Sequence, residues 1–180
     1  MMSRTLLLVG VAGVLAGSVL AADMPYAGQQ TRAVKALSDD EITALRKGEG
    51  MGMAKAAELN GYPGPAHVLQ LAVQLGLTKT QQRDVQATFD RMSDAAKALG
   101  GELIAQEQAL DQLFAKGEIT PDRLAAATAA IAELRGRLRA VHLSAHLETR
   151  ALLNADQIAR YQQLRGYGDP SAPEHHQHHG

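Results

Sequence analysis

Two histidines, His142 and His146, lie four residues apart in a stretch of sequence that favours helix. On an α-helix, residues at positions i and i+4 lie on the same face, with their side chains close together. Two imidazoles at that spacing can bind one transition metal ion. The chain has no cysteine, so any metal site must use His, Asp, Glu or Met as its ligands.

The histidine pair lies in the second of two long predicted helices. Apolar residues recur at alternating steps of four and three from Val85 to Leu113, and again from Leu124 to Ala145. This spacing is typical of coiled-coil-like helices. Because only a short segment around Gly117 joins the two helices, we expect an antiparallel helical hairpin.

Residues equally far from the hairpin turn face each other, which places Asp94 and Asp90 near His142. One or both carboxylates can complete a site for zinc, nickel or cobalt. The alternative is a solvated face shared with Arg91 and Lys97, and this suits Asp90 better than Asp94.

Other side chains are further candidate ligands. His67, beside the helix-starting Pro65, is either a third imidazole ligand or an ordinary helix-start residue. Met51 and Met53 are either soft ligands for Cu(I) or packing residues. Four histidines near the end of the chain can gather metal loosely: His175, His176, His178 and His179.

Short helices are predicted before the hairpin. Ser38 and Glu41 form a capping box that starts one of them, whereas residues 23–37 have no periodicity and predict a mobile leader. Within the first long helix, Gly100 and Gly101 each lower helix stability by roughly 1 kcal/mol relative to Ala. They mark either a bend or a close helix crossing.

The composition favours an all-α protein. Among 180 residues there are two Phe, four Tyr and no Trp, while the formal net charge is −1. Scarce aromatics argue against a sheet protein, and the balanced charge gives no reason to expect a nucleic-acid partner. A hairpin this thin needs its apolar stripe covered by the short helices or by a second subunit, so we expect a homodimer.

The first 21 residues have the layout of a cleavable secretory signal, with one basic residue, an apolar run and small residues at the end. Export to a bacterial periplasm is therefore expected. The remaining chain divides into an N-terminal leader with short helices (residues 22–64), the hairpin domain (residues 65–166) and a histidine-rich tail predicted to be disordered (residues 167–180).

Two five-residue boxes flank the hairpin, each at a predicted helix start. The first is Leu77-Thr78-Lys79-Thr80-Gln81, and the second is Leu153-Asn154-Ala155-Asp156-Gln157, in which Asn replaces Thr as an equally good N-cap. This pairing of Leu-Thr-x-x-Gln boxes, followed by Tyr161, resembles the Spy/CpxP/ZraP/CnrX superfamily of periplasmic stress proteins. The likeness covers roughly residues 65 to 165.

The resemblance implies a four-helix, hairpin-based fold that is usually dimeric and has no enzymatic activity. Spy-like members are ATP-independent chaperones, CpxP-like members modulate an envelope-stress kinase, and ZraP-like and CnrX-like members bind zinc, nickel, cobalt or copper. CnrX-like sensors carry a His-x-x-x-Met pair in the place of His142 and His146. They also carry a His-x-x-x-His pair where this chain has His67 and Leu71.

We therefore expect a periplasmic stress protein that senses or buffers a divalent transition metal (zinc, nickel, cobalt or copper). His142 and His146 are the expected ligands, with help from Asp94 or His67. A membrane sensor kinase or an anti-sigma factor is a candidate partner. The alternative is a Spy-like chaperone that holds unfolded clients and has incidental histidines. No arrangement of catalytic residues is present at a meaningful spacing, so an enzyme is not expected.

Overall fold

The structure is a computed structural model that describes residues 24–167. The predicted signal peptide and the histidine-rich tail after Tyr167 lie outside the described residues. The chain divides into two compact units, residues 1–30 and residues 31–180. In the described part of the first unit, the Gln29 side chain donates a hydrogen bond to the carbonyl oxygen of Pro25 at 2.8 Å.

The second unit is built from helices, and the described residues contain no strand. The all-α prediction is therefore confirmed, and so is the long helix pair. A short 3₁₀ turn, Gln29–Thr31, precedes six α-helices: α1 (Asp39–Lys47), α2 (Lys55–Glu58), α3 (Pro65–Gln70), α4 (Lys79–Ala115), α5 (Pro121–Ala151) and α6 (Ala155–Leu164).

The predicted helix starts at Ser38, Thr78 and Asn154 are confirmed, and each forms a capping box. Ser38, Thr78 and Asn154 each accept a hydrogen bond from the backbone N–H three residues on, and the side chain of that third residue accepts one in return. Each box satisfies two backbone donors that the helix leaves unpaired. Pro121 occupies the first turn of α5 behind the N-cap Thr120, as its fixed φ favours.

The glutamines of the two boxes also bind each other. Gln81 Nε2 donates to Gln157 Oε1 at 2.8 Å, and Gln157 Nε2 donates to Gln81 Oε1 at 3.1 Å. Gln81 Nε2 also donates to the carbonyl oxygen of Leu152 at 2.9 Å, and Gln157 Nε2 donates to that of Leu75 at 3.4 Å. The two boxes therefore close the base of the hairpin, joining the starts of α4 and α6.

Two apolar clusters form the core. One lies where α1 crosses the hairpin and includes Leu45, Leu103 and Leu138; the other lies at the base, around Val85 and Tyr161. The prediction of a mobile leader was wrong for its last residues, because the buried side chains of Val34 and Leu37 belong to the first cluster. The short helices cover the apolar stripe of the hairpin at these two clusters. The homodimer stays a prediction.

The glycine pair of α4 marks a close crossing of helices. A Cβ at position 100 would lie 2.4 Å from the carbonyl oxygen of Leu45 in α1, whereas a Cβ at position 101 would have no neighbour within 4 Å. Only Gly100 is therefore needed for α1 to approach α4. The helix C-terminus at Leu45 and Gly48 rests directly against this stretch of α4, since a Cβ on Gly48 would lie 2.9 Å from Ser93 O.

The other end of the hairpin is bare. From residue 108 to residue 130, across the turn at Gly117, no residue is buried. Phe114 and Leu124 are exposed there. No helix among residues 24–167 is both long and apolar enough to cross a membrane.

Candidate metal centre

A cavity of about 440 Å³ lies between the hairpin and the segment that connects α1 to α3. We call residues 48–64, which include α2, the strap. Three of the four candidate metal-binding residues from the sequence, His67, His142 and His146, line this cavity. They come from two helices, since His142 and His146 lie on α5 and His67 lies on α3.

The strap carries five glycines, and two of them lie against the paired histidines. A Cβ at Gly50 would lie 3.7 Å from Nδ1 of His142, and a Cβ at Gly64 would lie 2.9 Å from Cε1 of His146. A side chain at position 64 would therefore force the ring to move. The strap is also fastened to α5, because Arg150 donates a hydrogen bond to the carbonyl oxygen of Gly61.

His142 is only 3% exposed, and its Nε2 atom is buried with no hydrogen-bond partner among the described residues. Burial lowers the pKa of His142, and the neighbouring His146 lowers it further. The neutral ring is therefore favoured at neutral pH, and neutral imidazole is the form that binds metals. A buried nitrogen without a partner is uncommon in proteins and indicates a missing ligand or water.

His146 is 9% exposed and has a fixed orientation. Its Nδ1 atom lies 2.7 Å from the carbonyl oxygen of Tyr62 in the strap. Because a carbonyl oxygen only accepts hydrogen bonds, Nδ1 carries the proton and donates it. In the neutral ring the lone pair is then on Nε2. A backbone carbonyl that holds one ring nitrogen while the other is free is the usual arrangement around metal-binding histidines.

Both histidines of α5 are buried, because the strap covers them.

His67 lies at the rim of the cavity and is partly exposed, with Nδ1 3.5 Å from Oε1 of Glu58. Burial and the nearby Arg165 lower the pKa of His67, while Glu58 opposes them. The other oxygen of the same carboxylate lies 3.6 Å from Nδ1 of His146. Glu58 therefore lies between two of the three imidazoles.

The sequence interpretation did not include Glu58, which is central to the site. Its side chain is 11% exposed. The carboxylate accepts hydrogen bonds from the Tyr161 hydroxyl at 2.5 Å and from the Gly64 N–H at 3.1 Å. It also lies 3.6 Å from Nε of Arg165. The one available signal was that Glu58 is the only acidic residue between Glu49 and Asp84.

Asp94 does not line the cavity. Its side chain is 83% exposed and pairs with Lys97 at 3.9 Å, one turn along the same helix. The expected register was right, because Ser93 and Met92 face the cavity opposite His142. Asp94 follows Ser93 by about 100° around the helix and therefore points to solvent. Asp90 accepts a hydrogen bond from Gln86 and is likewise exposed.

Two methionines also line the cavity, Met51 from the strap and Met92 from α4. Met53 does not, because it packs against the core cluster around Leu45 and Leu103. Among residues 24–167, no group of three or more His, Asp or Glu side chains is arranged to hold a metal ion. Nitrogen, oxygen and sulfur donors therefore line one cavity. Three nitrogen or oxygen donors do not meet at a single point in it.

Comparison with known proteins gives one family. The heavy-metal resistance family matches residues 50–160, well over half of the 180-residue chain. The matched region begins in the strap and includes Glu58, His67 and both histidines of α5. No curated protein and no solved structure matches the chain.

The family is typically periplasmic and belongs to the Spy/CpxP/CnrX-like group marked by the Leu-Thr-x-x-Gln boxes. It is a metal-resistance type of family that is not known for enzymatic activity. The paired boxes, the hairpin and this match agree, and the chain belongs to the heavy-metal resistance family.

Proposed function

We propose that this protein binds a divalent transition metal in the cavity beneath the strap and acts in the periplasm as a metal sensor or buffer. The ligands are His142 and His146 from α5 and His67 from α3, with Glu58 as the carboxylate beside them. Imidazole and carboxylate donors suit zinc, nickel, cobalt and copper. The bound ion supplies the positive charge that holds these donors together.

One observation carries this proposal. His142 lines the cavity, and its Nε2 atom is buried without a hydrogen-bond partner among residues 24–167, on a ring whose pKa is lowered by burial. A structural histidine at such depth normally donates or accepts at both nitrogens. The neighbouring His146, whose Nδ1 is held by the strap, lines the same cavity.

Binding must change the arrangement of the strap or of the side chains, because no three of the His and carboxylate donors converge as they stand. Glu58 and Tyr62 belong to the strap, while His142 and His146 belong to the hairpin. An ion bound by both parts draws them together. A sensor needs two arrangements with different metal affinity, and this movement supplies them.

The test is a calorimetric titration of the purified protein with zinc, nickel, cobalt and copper. Because the tail histidines can also gather metal, the titrations use a background in which His175, His176, His178 and His179 are all replaced by Asn. In that background, His142→Ala and His146→Ala should each weaken the tightest site by at least about tenfold, since removal of even an outer-shell partner has that effect. His67→Ala should weaken the same site.

The matched control is Asp94→Ala, which removes a carboxylate from the same stretch of the hairpin but outside the cavity. We expect no change in its metal affinity. Tightest-site affinity that persists in a His142→Ala/His146→Ala double variant would overturn the assignment. Thermal unfolding provides a second measurement, because a ligand bound only by the folded protein raises its melting temperature.

A second candidate function is that of a client-holding chaperone, and one feature favours it. A groove of about 590 Å³ between α5 and α6 is lined by apolar side chains, among them Leu147, Leu153 and Ile158. Leu147 is 57% exposed. If this groove holds unfolded clients, the protein should suppress aggregation of a denatured test protein in the presence of a chelator, and Leu147→Ser should reduce that suppression. No suppression by the unaltered protein would count against the chaperone function.

A further inference from the structure

We propose that the same cavity also binds a soft monovalent ion, Cu(I), and that the thioethers of Met51 and Met92 are ligands for it together with the imidazoles of His142 and His146. This inference rests on the proposed function, because it adds ligands and a class of metal to the same cavity. It concerns which ions the cavity accepts rather than whether it binds a metal.

The donor set of the cavity carries this inference. The histidines and carboxylates of residues 24–167 do not form a three-ligand cluster on their own. The cavity wall also offers two sulfur donors, the thioethers of Met51 and Met92. Thioether sulfur is a soft donor that selects Cu(I), whereas oxygen donors select harder ions.

The backbone at Met51 is the second observation. Met51 has a φ of +42°, and it is the only residue other than glycine with a positive φ among the described residues. That conformation is unfavourable for a residue with a Cβ, and such strain concentrates at functional sites. Its neighbours are Gly50 and Gly52, so the turn tolerates glycine. The backbone of the turn therefore does not require a methionine side chain at position 51.

Packing does not account for Met51 either. Its residue is 43% exposed, so it contributes little to the core. Met53, two residues on, is the methionine that packs against the core cluster. Met51 thus places a long, polarizable side chain at the wall of the cavity that His142 lines, while the partly buried Met53 packs against the core cluster.

Met92 reaches the cavity from the opposite wall. It is half-buried on α4, beside Ser93, in the register that faces His142. One thioether therefore comes from the strap and the other from the hairpin, as the imidazole and carboxylate donors also do. A Cu(I) ion bound by both closes the strap on the hairpin in the same way as the divalent ion.

The experiment compares metals and variants in the background without tail histidines. Cu(I) is supplied already reduced under anaerobic conditions, so no electron transfer is involved, and its affinity is measured by competition with a chromogenic Cu(I) chelator. In Met51→Leu/Met92→Leu, Cu(I) affinity should fall by at least about tenfold. Nickel and zinc affinities should stay within about twofold, because thioethers contribute little to these ions.

Met53→Leu is the matched control, since it removes a thioether from the same segment but not from the cavity wall. Its Cu(I) affinity should be unchanged. X-ray absorption at the copper edge provides an independent measurement, and sulfur scattering should be present in the unaltered protein and absent in the double variant.

Unchanged Cu(I) affinity in Met51→Leu/Met92→Leu, or a copper spectrum without sulfur, would overturn the inference. Such a result leaves the proposed function standing if His142→Ala and His146→Ala still weaken nickel or zinc binding. If those two variants bind every metal as tightly as the unaltered protein, the proposed function fails instead.

Discussion

Gly100→Ala should lower the free energy of unfolding by about 2–3 kcal/mol, whereas Gly101→Ala should raise it by about 0.5–1 kcal/mol. The two glycines are neighbours in the middle of α4 and share the same helical backbone, so alanine improves the helix propensity of both. They differ in what an added Cβ meets. At position 100 it would lie 2.4 Å from the Leu45 carbonyl oxygen and 2.9 Å from its carbonyl carbon, which are backbone atoms that no rotamer change can move.

Urea unfolding of both variants measures the difference. Gly101→Ala is the matched control, because its Cβ has no neighbour within 4 Å and reports the helix-propensity gain alone. Subtracting its effect from that of Gly100→Ala leaves the cost of pushing α1 away from α4. A Gly100→Ala variant as stable as Gly101→Ala would mean that α1 does not rest on α4 at this point.

Glu58→Ala should lower the free energy of unfolding by about 3 kcal/mol, since each buried donor left without a partner costs roughly 1–3 kcal/mol. Two donors lose their acceptor, the Tyr161 hydroxyl and the Gly64 N–H. The hydroxyl cannot relieve the loss by ionising, because burial, the largest cause of the raised pKa of Tyr161, remains when Glu58 is removed. Tyr161→Phe removes only one of these bonds and should have a smaller effect, about 1–2 kcal/mol.

Chemical unfolding without metal measures both variants. The matched control is Glu49→Ala, because Glu49 is a strap carboxylate that lines the same cavity but is exposed and forms a surface ion pair with Lys47, at 3.8 Å. Its removal should change stability by less than about 0.5 kcal/mol. Equal effects of Glu58→Ala and Glu49→Ala would show that the contacts of Glu58 do not stabilise the fold.

The sequence predicts well the features that depend on neighbouring residues. The capping boxes at Ser38, Thr78 and Asn154 are local patterns of four residues, and each forms as expected. The hairpin register is also predictable, because it follows from counting residues on either side of the turn. It places Ser93 opposite His142, and both residues line the same cavity.

Features that depend on distant parts of the chain were not predictable in the same way. The partners of Glu58 include Tyr161, which lies 103 residues away in sequence. Asp94 had the right distance from the turn, but its direction around α4 left it exposed. The role of Gly100 was left open between a bend and a crossing, and only the position of Leu45 decides for the crossing.

The candidate site shows the same division. His142 and His146 were identified by their spacing and His67 by its imidazole, but their common cavity exists only because the strap folds back over α5. The strap has no periodic pattern, since it consists of glycine-rich turns and one short helix. Its path is set by contacts such as those of Arg150 with Gly61 and with the Tyr62 ring, 4.6 Å away, which a sequence pattern does not encode.

Because the turn end of the hairpin has no buried residue, the free energy of local opening should increase along α4 and α5 from the turn toward the base. No side chain from residue 108 to residue 130 is buried, so fraying from the turn should expose the backbone amides of this stretch to hydrogen exchange at small energetic cost. Amides near the paired Gln81 and Gln157 should exchange only when the whole unit unfolds. The histidines of α5 lie at the protected end. The turn can therefore open locally while the geometry around His142 and His146 persists.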